Sequence, residues 1–244
     1  MSNLSKFIAV EAKLMIREPG ILFIGLFLPA IVILVIGAIF APHEPDPLLG
    51  GRRFIDLLAP SMLVITLATL GIQTMPARLI KDRESGVLRR LSTTPARPLT
   101  IVVAQLLVNM AVAIGATVVL IVAGSVAYQI PVPQNLIGFG VAFLLGMSAL
   151  FAMGLLVAAI APSGGVATAL TLLLFATVML LGGVYLPRWL LPDILVRIGD
   201  VTPPGVQAML EAWLGATPQL LPLVIMAAIT LAAGTAAARL FRWE

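Results

Sequence analysis

The chain has 244 residues, 60% hydrophobic and 11% charged, with a net charge of +4 and a mean hydropathy of +1.10. Soluble domains carry roughly 25% charged residues, so a water-exposed fold is excluded; the basic residues flank apolar blocks and form no groove-tracking face, which excludes nucleic-acid binding. Cysteine is absent and His43 is the one histidine, which excludes disulfides, thiolate zinc sites and cysteine nucleophiles and leaves little for a His-pair metal site or a Ser-His dyad.

Residues 1–19 read as a short basic amphipathic helix lying in the membrane interface. At 100° per residue Leu4, Phe7, Ile8, Leu14 and Met15 share a stripe, and Lys6, Lys13 and Arg17 fall opposite. Glu11 and Glu18 sit within the apolar stripe. Either they are solvated among headgroups, or they pair with arginines of the charged loop after the second span.

A bilayer core needs about 20 apolar residues per helical crossing. Six blocks qualify: 21–40, 55–77, 99–127, 136–160, 166–186 and 220–239. The first exceeds the about 7–15 residues of a signal-peptide core and reads as a retained span. Residues 98–187, ninety in a row, contain no Lys, Arg, Asp or Glu. The breaks at 41–47, 129–133 and 161–165 are proline-rich or contain proline with glycine, and proline lacks the amide donor that a continuing helix needs. Residues 187–218 hold apolar runs interrupted by Pro187, Pro192, Pro203 and Pro204. None is long enough to cross, so a re-entrant pair of short helices that seals the outer end of the bundle is expected.

Eleven Lys and Arg residues fall on one side of this layout: Lys6, Lys13, Arg17, the six between Arg78 and Arg97, Arg239 and Arg242. The other side has Arg52, Arg53, Arg188 and Arg197. The positive-inside rule then places both termini and the 78–98 loop in the cytoplasm.

That loop reads Lys81-Asp82-Arg83-Glu84-Ser85-Gly86-Val87-Leu88-Arg89-Arg90-Leu91-Ser92-Thr93-Thr94-Pro95. As a helix it would put Glu84, Leu88 and Leu91 on one face and Arg83 and Arg90 on another. Such a ridge could plug into a partner; spacing alone leaves an ordinary solvated loop equally open. Within the spans Thr69, Gln73, Gln105, Asn109, Thr168 and Thr171 could line a substrate path, although polar groups in membrane helices more often hydrogen-bond their neighbours. No acid lies at mid-depth, with Asp56 at headgroup level near the start of the second span, which argues against proton- or sodium-coupled secondary transport. The lysines are Lys6, Lys13 and Lys81, and none follows a glycine, so the chain has no phosphate-binding Gly-x-x-x-x-Gly-Lys loop. Ser163-Gly164 lacks the preceding glycine pattern and the membrane histidine of an intramembrane serine protease.

The 81–95 segment resembles the cytoplasmic motif of ABC exporter permeases of the daunorubicin-resistance type, Arg/Glu-x-Gly-Thr-Leu-x-x-Leu-x-x-Thr-Pro. It matches at Glu84, Gly86, Leu88, Leu91, Thr94 and Pro95 and departs at Val87. Residues 54–61 resemble the family's Asp-Phe-x-x-Pro-Gly start of span two, with Ser61 for glycine, and 181–187 with Pro192 and Thr202-Pro203 resemble the end of span five and its outer pair. The resemblance covers nearly the whole chain. It implies one all-α permease domain over 1–244, with an amphipathic connecting helix and six spans. It also implies a cytoplasmic coupling helix and an outer helical hairpin. Arg83, Glu84, Gly86, Leu88, Arg89, Arg90, Leu91, Thr94 and Pro95 would couple to the ATPase. Two permease chains, identical or similar, would assemble in the cell membrane with two ATPase subunits that bind ATP and Mg; this chain would carry no cofactor of its own. The cargo implied is amphiphilic or hydrophobic: a drug, a lipid or a polyketide. The alternatives are a secondary transporter or a non-transporting membrane assembly subunit.

Because the chain has no cysteine, single introduced thiols report topology directly. Ser92→Cys is expected to resist a membrane-impermeant maleimide in intact cells and Asp46→Cys to react. Reversed labelling overturns the orientation.

Overall fold

The computed structural model describes residues 3–40, 51, 53–86, 98–186 and 190–240, and among these there is no strand. The chain is an all-α polytopic membrane protein. The helices are α1 (Asn3–Arg17), α2 (Pro19–Phe40), α3 (Phe54–Ala68), a π turn (Thr69–Thr74) and α4 (Met75–Glu84). Then follow α5 (Pro98–Tyr128), α6 (Leu136–Ile160), α7 (Gly164–Leu181), α8 (Asp193–Val201), α9 (Val206–Trp213) and α10 (Leu220–Leu240). Six stretches are long and apolar enough to cross a membrane: α2, the continuous rod Phe54–Glu84, α5, α6, α7 and α10.

Two of the expected spans change length. The second runs on to Glu84 instead of ending near residue 77, because its charged last turns are held by neighbouring helices. The fifth ends at Leu181 instead of 186. There Gly182 terminates the helix and Gly183 adopts φ +76, a conformation that costs glycine nothing.

Burial separates the spans into a centre and a rim. The rod Phe54–Glu84 is 72% buried and α6 is 61% buried, whereas the other four are 17–28% buried. α6 packs along α10 on one side and against the π turn and α4 on another. α2 packs on α3 and α5, and α1 lies across α5. Small residues set the closest approach: a Cβ on Gly154 would overlap the carbonyl oxygen of Gly71, so the π turn and α6 touch backbone to backbone. The π turn itself closes i to i+5, with the Met75 amide donating to the Leu70 carbonyl. Proline in a regular helix clashes with the carbonyl four residues before it; the widened turn sits directly ahead of Pro76.

The end opposite α1 is closed by polar contacts and by the two short helices. Arg53 pairs with Asp56 at 2.8 Å and donates to the carbonyls of Tyr128 (3.0 Å) and Gln129 (3.2 Å). Asp56 is therefore held in an ion pair and not simply hydrated among headgroups. The Asn135 side chain caps α6 by accepting from the Gly138 amide at 2.9 Å, and the Asn135 backbone N–H donates to the Ala212 carbonyl at 3.0 Å. α9 buries Val206, Met209 and Trp213, and the Trp213 ring meets Phe139 edge-on at 5.6 Å. Glu211 accepts from the Gln219 amide at 3.1 Å, which ties α9 to the start of α10.

Gly154→Ala is expected to destabilise the fold by about 1–3 kcal/mol through overpacking. Gly140→Ala, which meets nothing within 4 Å, is the matched control. Unfolding temperatures in detergent check this: equal values for the two variants would show that the π turn does not need its close contact with α6.

Candidate functional site

The last turns of α4 carry Arg78, Lys81, Asp82, Arg83 and Glu84. Successive residues on a helix are about 100° apart, so these five side chains leave the rod in different directions. Four of them meet other elements.

Arg78 donates to Glu18, which joins the α1–α2 corner to the rod. Asp82 accepts from Gln105 of α5 at 2.9 Å. Arg83 donates to the Ala161 carbonyl at 2.6 Å and, more weakly, to the Ala158 carbonyl at 3.4 Å. These are among the carbonyls that the C-terminus of α6 leaves without intrahelical donors. Glu84 accepts from the Gly164 amide at 2.9 Å, the first residue of α7. Ser163 caps the same helix end more loosely, accepting from Val166 at 3.5 Å.

The signs match the helix dipoles. A cation sits at the C-terminus of α6 and an anion at the N-terminus of α7, each a favourable arrangement of about 0.3–1 kcal/mol at exposed positions. One dipeptide therefore clamps both sides of the 161–165 turn. α4 ends immediately after it: the Ser85 amide returns to the Lys81 carbonyl at 2.9 Å and Gly86 adopts φ +71. The shared face expected of Glu84 with Leu88 and Leu91 is thus interrupted at Gly86. Of the proposed coupling residues, Arg83, Glu84 and Gly86 lie in this corner. Leu88, Arg89, Arg90, Leu91, Thr94 and Pro95 lie outside the described residues.

A cavity of about 180 Å³ opens between α4 and α7, lined by Ile80, Lys81, Glu84, Ala167, Thr168 and Thr171 among others. Two of the candidate path residues, Thr168 and Thr171, are therefore beside the clamp. Their hydroxyls donate to their own helix, Thr168 to Gly164 at 2.9 Å and Thr171 to Thr168 at 3.0 Å. Thr69 and Gln73 are half-buried on the π turn. Gln105 and Asn109 are not at this cavity. Asp82, which Gln105 binds, is about 160° around α4 from Ile80 and Glu84, and Asn109 donates to the Gln105 carbonyl at 2.8 Å. Gln105 and Asn109 thus lie apart from Thr168 and Thr171 and make interhelical and local hydrogen bonds.

Glu18 turns out to pair with an arginine of the rod, while Glu11 is buried and not solvated among headgroups. Gln105 donates to Glu11 at 3.5 Å as well as to Asp82. Burial pushes the Glu11 carboxyl above the ordinary carboxylate range; the Gln105 hydrogen bond opposes this and the Asp82 charge adds to it. Reading the sequence did not single out Asp82. The available signal was an acid inside an apolar stripe at Glu11, which demands a partner elsewhere in the chain.

Comparison with curated proteins and with solved structures found no match. Residues 4–205 match the family described as ABC-2 type transporter, from α1 through all but the last of the spans and past α8. The chain therefore belongs to the ABC-2 type transporter family and is a permease subunit of an ABC transporter.

Proposed function

We propose that this chain exports an amphiphilic or hydrophobic cargo, using ATP hydrolysed by a separate ATPase subunit. Two permease chains pair in the cell membrane and each engages one ATPase, which binds the ATP and Mg. The observation that carries the reading is the charged end of the Phe54–Glu84 rod, bonded at once to the α1–α2 corner, α5, α6 and α7. A pull on this end is transmitted to four other elements without passing through a flexible loop.

In this reading both termini and the rod's charged end face the cytoplasm, in line with the eleven-to-four distribution of basic residues. The matched motif that follows Gly86 docks on the ATPase. Nucleotide-driven movement of that motif drags Arg83 and Glu84. The clamp then moves the 161–165 turn, and with it the start of α7. The cavity between α4 and α7 widens or narrows accordingly. Its lining combines apolar side chains with Thr168, Thr171, Lys81 and Glu84, which suits a cargo with a hydrocarbon body and a polar head. The rim helices, of whose residues less than a third are buried, face lipid or the second permease. α8 and α9 seal the outer end as a re-entrant pair.

The test is transport by the chain reconstituted with an ATPase subunit that co-purifies with it, using a fluorescent amphiphilic dye. Arg83→Ala and Glu84→Ala are each expected to cut ATP-driven dye export roughly tenfold, the scale of one lost charge-assisted hydrogen bond. ATP hydrolysis should persist. Thr177→Val, at an exposed hydroxyl that donates to the Leu173 carbonyl of its own helix, should export normally. Full export by both clamp variants would rule out this transmission route.

A further inference from the structure

α1 places a carboxylate where its apolar stripe calls for hydrocarbon. Glu11 is 8% exposed, and Met15, one turn on along the same face, is 2% exposed. The two spans that pack against α1, α2 and α5, bring no charged residue to it. The nearby charges come from α4 and from the α1–α2 corner: Arg78, Lys81, Asp82 and Glu18. Arg78 donates through Nη2 to Glu18, and its buried Nε has no hydrogen-bond partner among the described residues.

Among the described residues, Glu11 and Asp82 share a single bonded side-chain donor. The Gln105 side-chain nitrogen lies 2.9 Å from Asp82 and 3.5 Å from Glu11. Gln105 is 3% exposed, and its Oε1 has no hydrogen-bond partner among the described residues. One turn deeper Asn109 is 1% exposed, and its Oδ1 is likewise without a partner. Apart from that Arg78 Nε, the unpartnered polar atoms here are acceptors, so acceptors outnumber donors. An ionised, buried carboxylate can only accept; a protonated one also donates, and its burial desolvates no charge. A metal cation would compete with the Gln105 amide hydrogens already on both carboxylates. The missing species is a proton.

We propose that Glu11 is a proton-binding site, the proton being held beside Asp82 at Gln105, and that proton binding seats α1 against α5 and α4. This site is separate from the clamp at Arg83 and Glu84, and its test needs neither cargo nor ATPase. The buried Glu11 carboxyl titrates above its ordinary range. A group whose folded-state value is raised contributes stability below its unfolded titration and loses it as pH rises through the folded one. The seat of α1 should accordingly be tightest at low pH and loosen as Glu11 ionises. Because the rod is tied to the same pocket through Asp82, release of the proton also removes support from the rod's charged end.

Met15→Cys reports the seat in the full-length chain in lipid nanodiscs. Maleimide labelling rates are compared, at each pH from about 5 to about 8, with those of the Met15→Cys, Glu11→Gln double variant. The ratio cancels the thiol's own titration. Glutamine keeps the shape and the hydrogen-bonding role of a protonated glutamate. The ratio should be near one at the acid end and rise several-fold toward the alkaline end, while Ala149→Cys, buried in α6, stays protected throughout. A flat ratio overturns the proposal. So does a rise that disappears when sodium replaces a large organic cation in the buffer, because a metal would then be filling the site. If the thiol variants fail to fold, infrared spectra of the cysteine-free parent and Glu11→Gln decide instead. A protonated-carboxyl band that persists above about pH 5 and is lost in Glu11→Gln supports the site; its absence from the parent refutes it.

Discussion

A helix that ends beside another helix leaves carbonyls or amides that lipid cannot satisfy. In this chain one such corner, between α6 and α7, is satisfied from outside itself. Arg83 supplies donors to the end of α6 and Glu84 an acceptor to the start of α7. Both come from the last turn of the most buried span. The position of the 161–165 turn is therefore held by the rod, and Glu84 also lines the cavity between α4 and α7. Had the turn carried its own strong caps, α7 would be free of α4 at this end.

The same rod organises the remainder by contact at its middle. Gly71 and Gly154 bring two backbones together, so the centre of the protein is a backbone crossing with side chains arranged around it. The rim helices gain little burial within one chain. In water their exposed Ile, Leu, Val and Phe side chains would be an aggregation surface; in hydrocarbon they cost nothing. That is why 60% hydrophobic residues coexist with a central core built from two spans.

Much of this was legible in the sequence. The six spans follow from apolar length and from the uncharged stretch 98–187, and the two short outer helices follow from Pro192, Pro203 and Pro204. The family was legible in Glu84, Gly86 and the motif after them. The helical continuation to Glu84 was not. Arg78, Lys81, Asp82, Arg83 and Glu84 look like a solvated loop because composition records charge and not partners. The partners of Arg83 and Glu84 lie some seventy-five to eighty residues away, and those of Asp82 and Glu11 converge on Gln105, a residue that reads equally well as path or glue. Periodicity gives the face on which a residue sits; it does not give the helix that the face meets. The break at Gly86 was hidden for a related reason, since a glycine in a motif looks the same whether it continues a helix or ends one.

The π turn bears on how the length of this span can drift. Such a turn holds one residue more than the α-helical turn it replaces. Removing one residue within Thr69–Thr74 would return the rod to plain α-helix and keep α3 and α4 in their present rotational phase. The same deletion elsewhere in Phe54–Glu84 would rotate everything beyond it by about 100° and carry Arg83 and Glu84 away from both helix ends. Homologues that differ by a single residue in the second span can therefore share the clamp geometry only where the gap falls in those six positions.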